Sequence, residues 1–124
     1  MNFSIIIQAR TGSSRFPGKI LQKIDNRTVI EYLVDSLLKK FNNKNIVIAT
    51  TKLYRDNQII KTLKKKNIKF FRGSENNVLN RYLNCAKKFN IKNIIHITSD
   101  CPLVDVNLIC KMKKIFVSKK LDYL

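Results

Sequence analysis

The isoleucine run Phe3-Ser4-Ile5-Ile6-Ile7-Gln8 passes directly into Ala9-Arg10-Thr11-Gly12-Ser13-Ser14-Arg15-Phe16-Pro17-Gly18-Lys19. A short apolar run bounded by glycine and serine reads as a buried strand. Residues 10–19 hold two of the three glycines and one of the two prolines, so they read as a loop. The alternation continues outward. Thr28 is placed to cap a helix bearing Val29, Ile30, Leu33, Leu37 and Phe41 at helical spacing. Residues 45–51 read as a second strand, and Ile59, Ile60 and Leu63 as one face of a lysine-rich helix. A third strand is expected over 68–71, then the clearest amphipathic helix, on Val78, Leu79, Tyr82, Leu83, Ala86 and Phe89. Asn93 to Thr98 reads as a fourth strand, Ser99-Asp100-Cys101-Pro102 as its exit loop, and Ile109, Met112 and Phe116 as a last helix.

Isoleucine-dense strands separated by helices of about 12 to 16 residues predict an α/β fold, with a mostly parallel sheet flanked by helices on both faces. Ligands of such sheets sit at the carboxyl ends of the strands. Residues 10–19 and 99–103 therefore make one site if both loops leave the same edge. The last residues, Asp122-Tyr123-Leu124, read as the start of a further strand, and the chain as the front half of a longer protein.

At 124 residues the chain is one domain at most, and 44% hydrophobic content excludes a disordered polymer. No apolar stretch approaches the ~18 residues of a membrane span, and no leader pattern opens the chain. Cys85, Cys101 and Cys110 form no Cys-x-x-Cys pair, which suits a reducing cytoplasm. A single histidine, His96, excludes a His-rich metal site. Lys and Arg outnumber Asp and Glu by 25 to 8, for a net charge of +17. Such a charge favours polyanions, nucleic acid among them. Lysine, asparagine and isoleucine are overused together, however, and share AT-rich codons, so base composition accounts for much of the excess.

Three clusters carry chemistry. The loop after the first strand is neither a dinucleotide fingerprint nor a Walker loop. Gly12 and Ser13 can still offer successive backbone N–H groups to an anion. Arg10, Arg15 and Lys19 can surround a triphosphate with positive charge. The other reading is a basic surface loop. Asp100, at a strand end and stiffened by Pro102, suits a hard divalent ion that also touches phosphates. It also suits a helix cap or Asx turn, although Asp105 is better placed as the cap. In Arg72-Gly73-Ser74-Glu75, Arg72 can reach a base, a ribose or a neighbouring loop. Arg81 either braces the site from behind or makes a surface ion pair. His96 reads as structural, Cys85 and Cys110 as small core fillers, and Cys101 has no visible base.

These motifs together resemble the sugar nucleotide cytidylyltransferases, a family that includes the acylneuraminate cytidylyltransferases. The branch is the one named after spore coat polysaccharide biosynthesis protein F. The likeness runs through Ile5 to Lys19, Val47-Ile48-Ala49-Thr50-Thr51, and Phe71-Arg72-Gly73-Ser74-Glu75 with Val78-Leu79 and Arg81-Tyr82. It continues in Ile97-Thr98-Ser99-Asp100-Cys101-Pro102-Leu103-Val104-Asp105, and so covers essentially the whole chain. It implies a glycosyltransferase-A-like fold and a cytoplasmic enzyme that joins CMP from CTP to a sugar acid, releasing pyrophosphate, for surface polysaccharide synthesis. The phosphate role falls on Arg10, Gly12, Ser13, Arg15 and Lys19, with Arg10, Lys19 and Asp100 catalytic. Magnesium falls on Asp100, and the nucleotide pocket on Arg72, Ser74 and Glu75. The implied partners are CTP and a sugar acid, with no specific nucleic acid, no membrane, and a homodimer for the full-length protein. Three departures stand out: Ser99 where the family often has glycine, Asn77 and Asn80 where acids are common, and a chain about half as long as its relatives. The other readings are a different nucleotidyl or sugar transferase of this fold, a nucleotide-binding fragment that does not turn over, and a basic nucleic-acid-binding module.

Overall fold

The computed structural model describes residues 2–12 and 17–124. The chain runs β1 (Phe3–Gln8), β2 (Lys23–Ile24), β3 (Arg27–Thr28), α1 (Val29–Leu38), β4 (Ile46–Thr51), α2 (Asn57–Leu63), β5 (Lys69–Gly73), α3 (Val78–Lys88), β6 (Asn93–Thr98) and α4 (Val106–Ser118). Four strands form a wholly parallel sheet in the order β5-β4-β1-β6, and β2 and β3 make a small antiparallel ribbon. The expected α/β architecture is present.

Side chains of β1 divide between two packed layers, as period-two alternation requires. Ile5, Ile7 and Ala9 join α1 and α2 residues such as Leu33, Leu37, Ile59 and Leu63 on one face. Ile6 joins Val47, Ala49, Cys85 and Ala86 on the face that α3 covers. Ile5, Ile6 and Ile7 are essentially fully buried, each worth about 1.5–3 kcal/mol. This central strand therefore anchors both layers.

Helix starts follow local chemistry. Thr28 Oγ1 accepts from the Glu31 backbone N–H while the Glu31 carboxylate accepts from the Thr28 N–H, a reciprocal capping box at α1. Asp105 Oδ1 accepts from Leu108 N at 3.0 Å and caps α4, as its position predicts.

Four expectations need correction. The helices between strands are shorter than foreseen, with 10, 7 and 11 residues in α1 to α3, whereas α4 has 13. The β2–β3 ribbon was not foreseen; its turn contains Asp25 in the left-handed region, φ 58°, where Asp is better tolerated than most residues. Residues 121–124 form no strand. In α3 the buried residues are Arg81, Cys85 and Ala86, whereas Val78, Leu79 and Leu83 are exposed. The helix turns Arg81, Cys85 and Ala86 inward, and Arg81 bonds the side chain of Gln8 at the end of β1.

Candidate functional site

The strand order creates the site. From β1 the chain steps outward to β4 and β5, then returns to place β6 on the other side of β1. The crevice beyond the carboxyl ends of β1 and β6 is a topological switch point, the usual ligand position in open parallel sheets. Gln8 lies in register with Thr98, and Ser99 N donates to Gln8 O at 3.2 Å. The loops after β1 and β6 therefore leave the same edge side by side, and the β5 exit at Gly73 shares that edge through β4.

The loop after β1 is tied at both ends. Gly18 N donates to Thr11 O at 2.8 Å and so holds Gly18 beside Thr11. Gly18 has φ 72°, which a side chain adopts only with strain. Leu21 N then bonds Gly18 O and starts a short turn of helix over Lys19–Leu21, with Lys19 exposed at the rim. Arg10 Nη1 donates to Gly12 O at 3.1 Å. A side chain at Gly12 would meet the Arg55 guanidinium, which itself pairs with Glu75 at 2.6 Å. Ser13 and Arg15, both expected to contact phosphate, lie outside the described residues.

Asp56 is a functional element that the sequence did not reveal. Its carboxylate is fully buried. Oδ1 accepts from Thr11 N at 2.8 Å and from Thr11 Oγ1 at 2.7 Å, and Oδ2 accepts from Thr51 Oγ1. Burial alone would raise its pKa. The bonds from Thr51 and Thr11, with the nearby Arg55 charge, outweigh burial and hold it below the ordinary carboxylate value. One carboxylate thus clamps the start of the loop to the β4 exit. The only local signal was an acid shortly after a strand end.

Arg72 and Arg81 are both engaged internally. Arg72 Nε donates to Thr51 O at 2.7 Å, Nη1 to Asn57 Oδ1 and Nη2 to Leu53 O at 2.8 Å, so its fork braces the β4–α2 connection. Arg81 is 2% exposed. It donates Nε and Nη2 to Gln8 Oε1, at 3.0 and 2.8 Å, and Nη1 to Ser74 O at 2.9 Å. Of the two alternatives for Arg81, bracing from behind is the one realised. Ser74 Oγ accepts from Asn77 N, and Glu75 faces Arg55.

Asp100 is exposed at the β6 exit. Hydrogen bonding from Thr98 first, then the Lys19 charge and Cys101, holds its carboxyl below the usual value despite slight desolvation. Lys19 and Asp100 thus sit on the two loops that leave this edge side by side, about 80 residues apart in sequence. Ser99 is accommodated without a left-handed backbone, so the absence of glycine there costs no strain. Among the described residues no group of three or more His, Cys, Asp or Glu could cage a metal. One accessible carboxylate beside the loop that follows β1 is a donor set that would suit magnesium, which commonly takes one or two carboxylates and completes its shell with phosphates and water. Asp100 is the residue that would hold it. No helix among the described residues is long and apolar enough to cross a membrane.

Comparison with known proteins agrees with this geometry. Residues 4–120 match the family described as Cytidylyltransferase. The chain is 38% identical over 118 residues to an uncharacterised protein of Methanocaldococcus jannaschii, covering 95% of this chain and 49% of that one. It is 34% identical over 122 residues to spore coat polysaccharide biosynthesis protein SpsF of Bacillus subtilis, covering 95% and 51%. The solved structure of a cytidylyltransferase from Leptospira borgpetersenii superposes with a TM-score of 0.90 at 36% identity, over 95% of this chain and 50% of that one. The chain spans about half the length of these relatives.

Proposed function

The chain belongs to the cytidylyltransferase family, and from that premise we propose that it is the nucleotide-binding portion of a magnesium-dependent CMP-sugar synthetase of the SpsF branch. The reaction is CTP plus a sugar acid to CMP-sugar plus pyrophosphate. A sugar hydroxyl oxygen bonds to the α-phosphorus, its proton leaves, and the bond from that phosphorus to the pyrophosphate oxygen breaks. The observation that supports this reading is the shared exit edge of the β1 and β6 loops, which carry Lys19 and Asp100 at the switch point.

Such chemistry needs alignment and charge compensation rather than covalent help from protein. The backbone at Gly12, with Ser13, receives phosphate oxygens. Arg10, Arg15 and Lys19 offset the charge that builds on departing pyrophosphate. Asp56 and Arg72 hold the frame on which this loop rests. Magnesium, when bound at Asp100, supplies further positive charge against the phosphate oxygens. The test is pyrophosphate release from the chain with CTP, magnesium and a panel of sugar acids. Release that requires CTP and an acid supports the proposal. Release with UTP, ATP or GTP in place of CTP contradicts it.

A further inference from the structure

Arg81 is a cation with almost no exposure, and its hydrogen bonds go to neutral acceptors: the Gln8 side-chain carbonyl and the backbone carbonyls of Ser74 and Glu75. Among the described residues it pairs with no carboxylate. The negative field that reaches it comes from Asp56, whose oxygens are already bonded to Thr11 and Thr51. A buried charge with only neutral partners is costly relative to one in water. Among the described residues no anion bonds it directly.

Gln8 gives that charge a direction. Arg only donates, so the carboxamide oxygen must be the atom that faces it, and the amide is fixed by chemistry rather than by choice of flip. Helix α3 packs over β5 and β4, and Ser74 and Glu75 follow β5, so Arg81 approaches Gln8 from that side. On the β6 side of Gln8 the register neighbour is Thr98, which is exposed. Among the described residues no acceptor bonds Nε2, and the nitrogen is not sealed from solvent. A cation bonded to Oε1 polarises the amide and makes its N–H groups stronger donors.

We infer that Gln8, locked by Arg81, is a preset hydrogen-bond donor to a phosphate oxygen of the nucleotide, and that this phosphate supplies the counter-charge Arg81 lacks. The inference rests on the nucleotide site proposed above and adds two residues to it. Gln8 contacts substrate; Arg81 is a positioning residue acting through Gln8.

The test compares wild type, Gln8→Glu and Gln8→Met for binding of CTP and of inorganic triphosphate, each with magnesium, alongside melting temperature. Glu at position 8 keeps the acceptor for Arg81 and adds a charge partner, so Q8E should melt at or above the wild-type temperature. It should nonetheless bind both ligands about tenfold more weakly or worse, because the donor is gone. Q8M should lose affinity for both without adding charge. A purely structural Gln8 predicts instead that Q8E, with its Arg81 bonds intact, binds as wild type. That result would overturn the inference while leaving the CTP site standing, as would loss of CTP binding with triphosphate binding spared. Failure of wild type to bind any nucleoside triphosphate would remove the proposed function and this inference together.

Discussion

Asp56 accepts both the backbone N–H and the hydroxyl of Thr11, at 2.8 and 2.7 Å, across 45 residues of sequence. Replacing it with alanine strands those donors and the Thr51 hydroxyl in a buried site. Asp56→Ala should therefore lose about 2–4 kcal/mol of stability, and Asp56→Asn less, by chemical denaturation. The pH dependence has a definite sign. The folded-state pKa lies below the unfolded value, so the carboxylate stabilises the fold above that unfolded value. That contribution falls away as pH drops below about 4 toward the folded pKa. Melting temperature against pH should decline more steeply in this window for wild type than for D56N.

Gly18 carries the only left-handed glycine geometry among the described residues, φ 72°, immediately before Lys19. Open space surrounds it, so Gly18→Ala tests backbone conformation without a clash. It should cost about 1–2 kcal/mol and displace Lys19 from the rim. A melting temperature equal to wild type would show that the loop does not need this geometry.

Lys19→Ala should weaken triphosphate binding roughly tenfold and leave stability within about 0.5 kcal/mol, because Lys19 is exposed. Equal CTP affinity in a titration of the variant would exclude Lys19 from the phosphate site.

Asp100→Asn should keep the wild-type fold, since the side chain is exposed, while abolishing the advantage that magnesium gives to CTP binding. Magnesium-dependent binding that survives in D100N would move the metal to another residue.

Helix α3 offers a control on packing. Leu79 is 68% exposed and Leu33 fully buried. Leu79→Ser should change stability by less than about 0.5 kcal/mol, against about 2–5 kcal/mol for Leu33→Ala.

The contrast in α3 shows what sequence could and could not reveal. β1 and β6 are found over the residues expected, because isoleucine runs bounded by polar residues have few other solutions in a parallel sheet. The two switch-point loops followed from those strands. The stripe of Val78, Leu79 and Leu83 misled because hydrophobicity was read as burial, whereas the helix buries Arg81 to hold Gln8. Local pattern cannot foresee a buried cation whose partner lies 73 residues away. Asp56 escaped for the same reason: Thr11 is its partner only after β1 and β4 pair. Arg72 was recognised as a residue of interest, but its three acceptors on the β4–α2 connection belong to tertiary structure.

On the proposed function, these 124 residues hold a CTP site at the β1–β6 switch point. Calorimetric titration of the chain with CTP, with and without magnesium and against ATP, GTP and UTP, tests it most directly. Saturable binding that prefers CTP and strengthens with magnesium is the expected result. Binding of no nucleotide, or equal binding of all four regardless of magnesium, would contradict it.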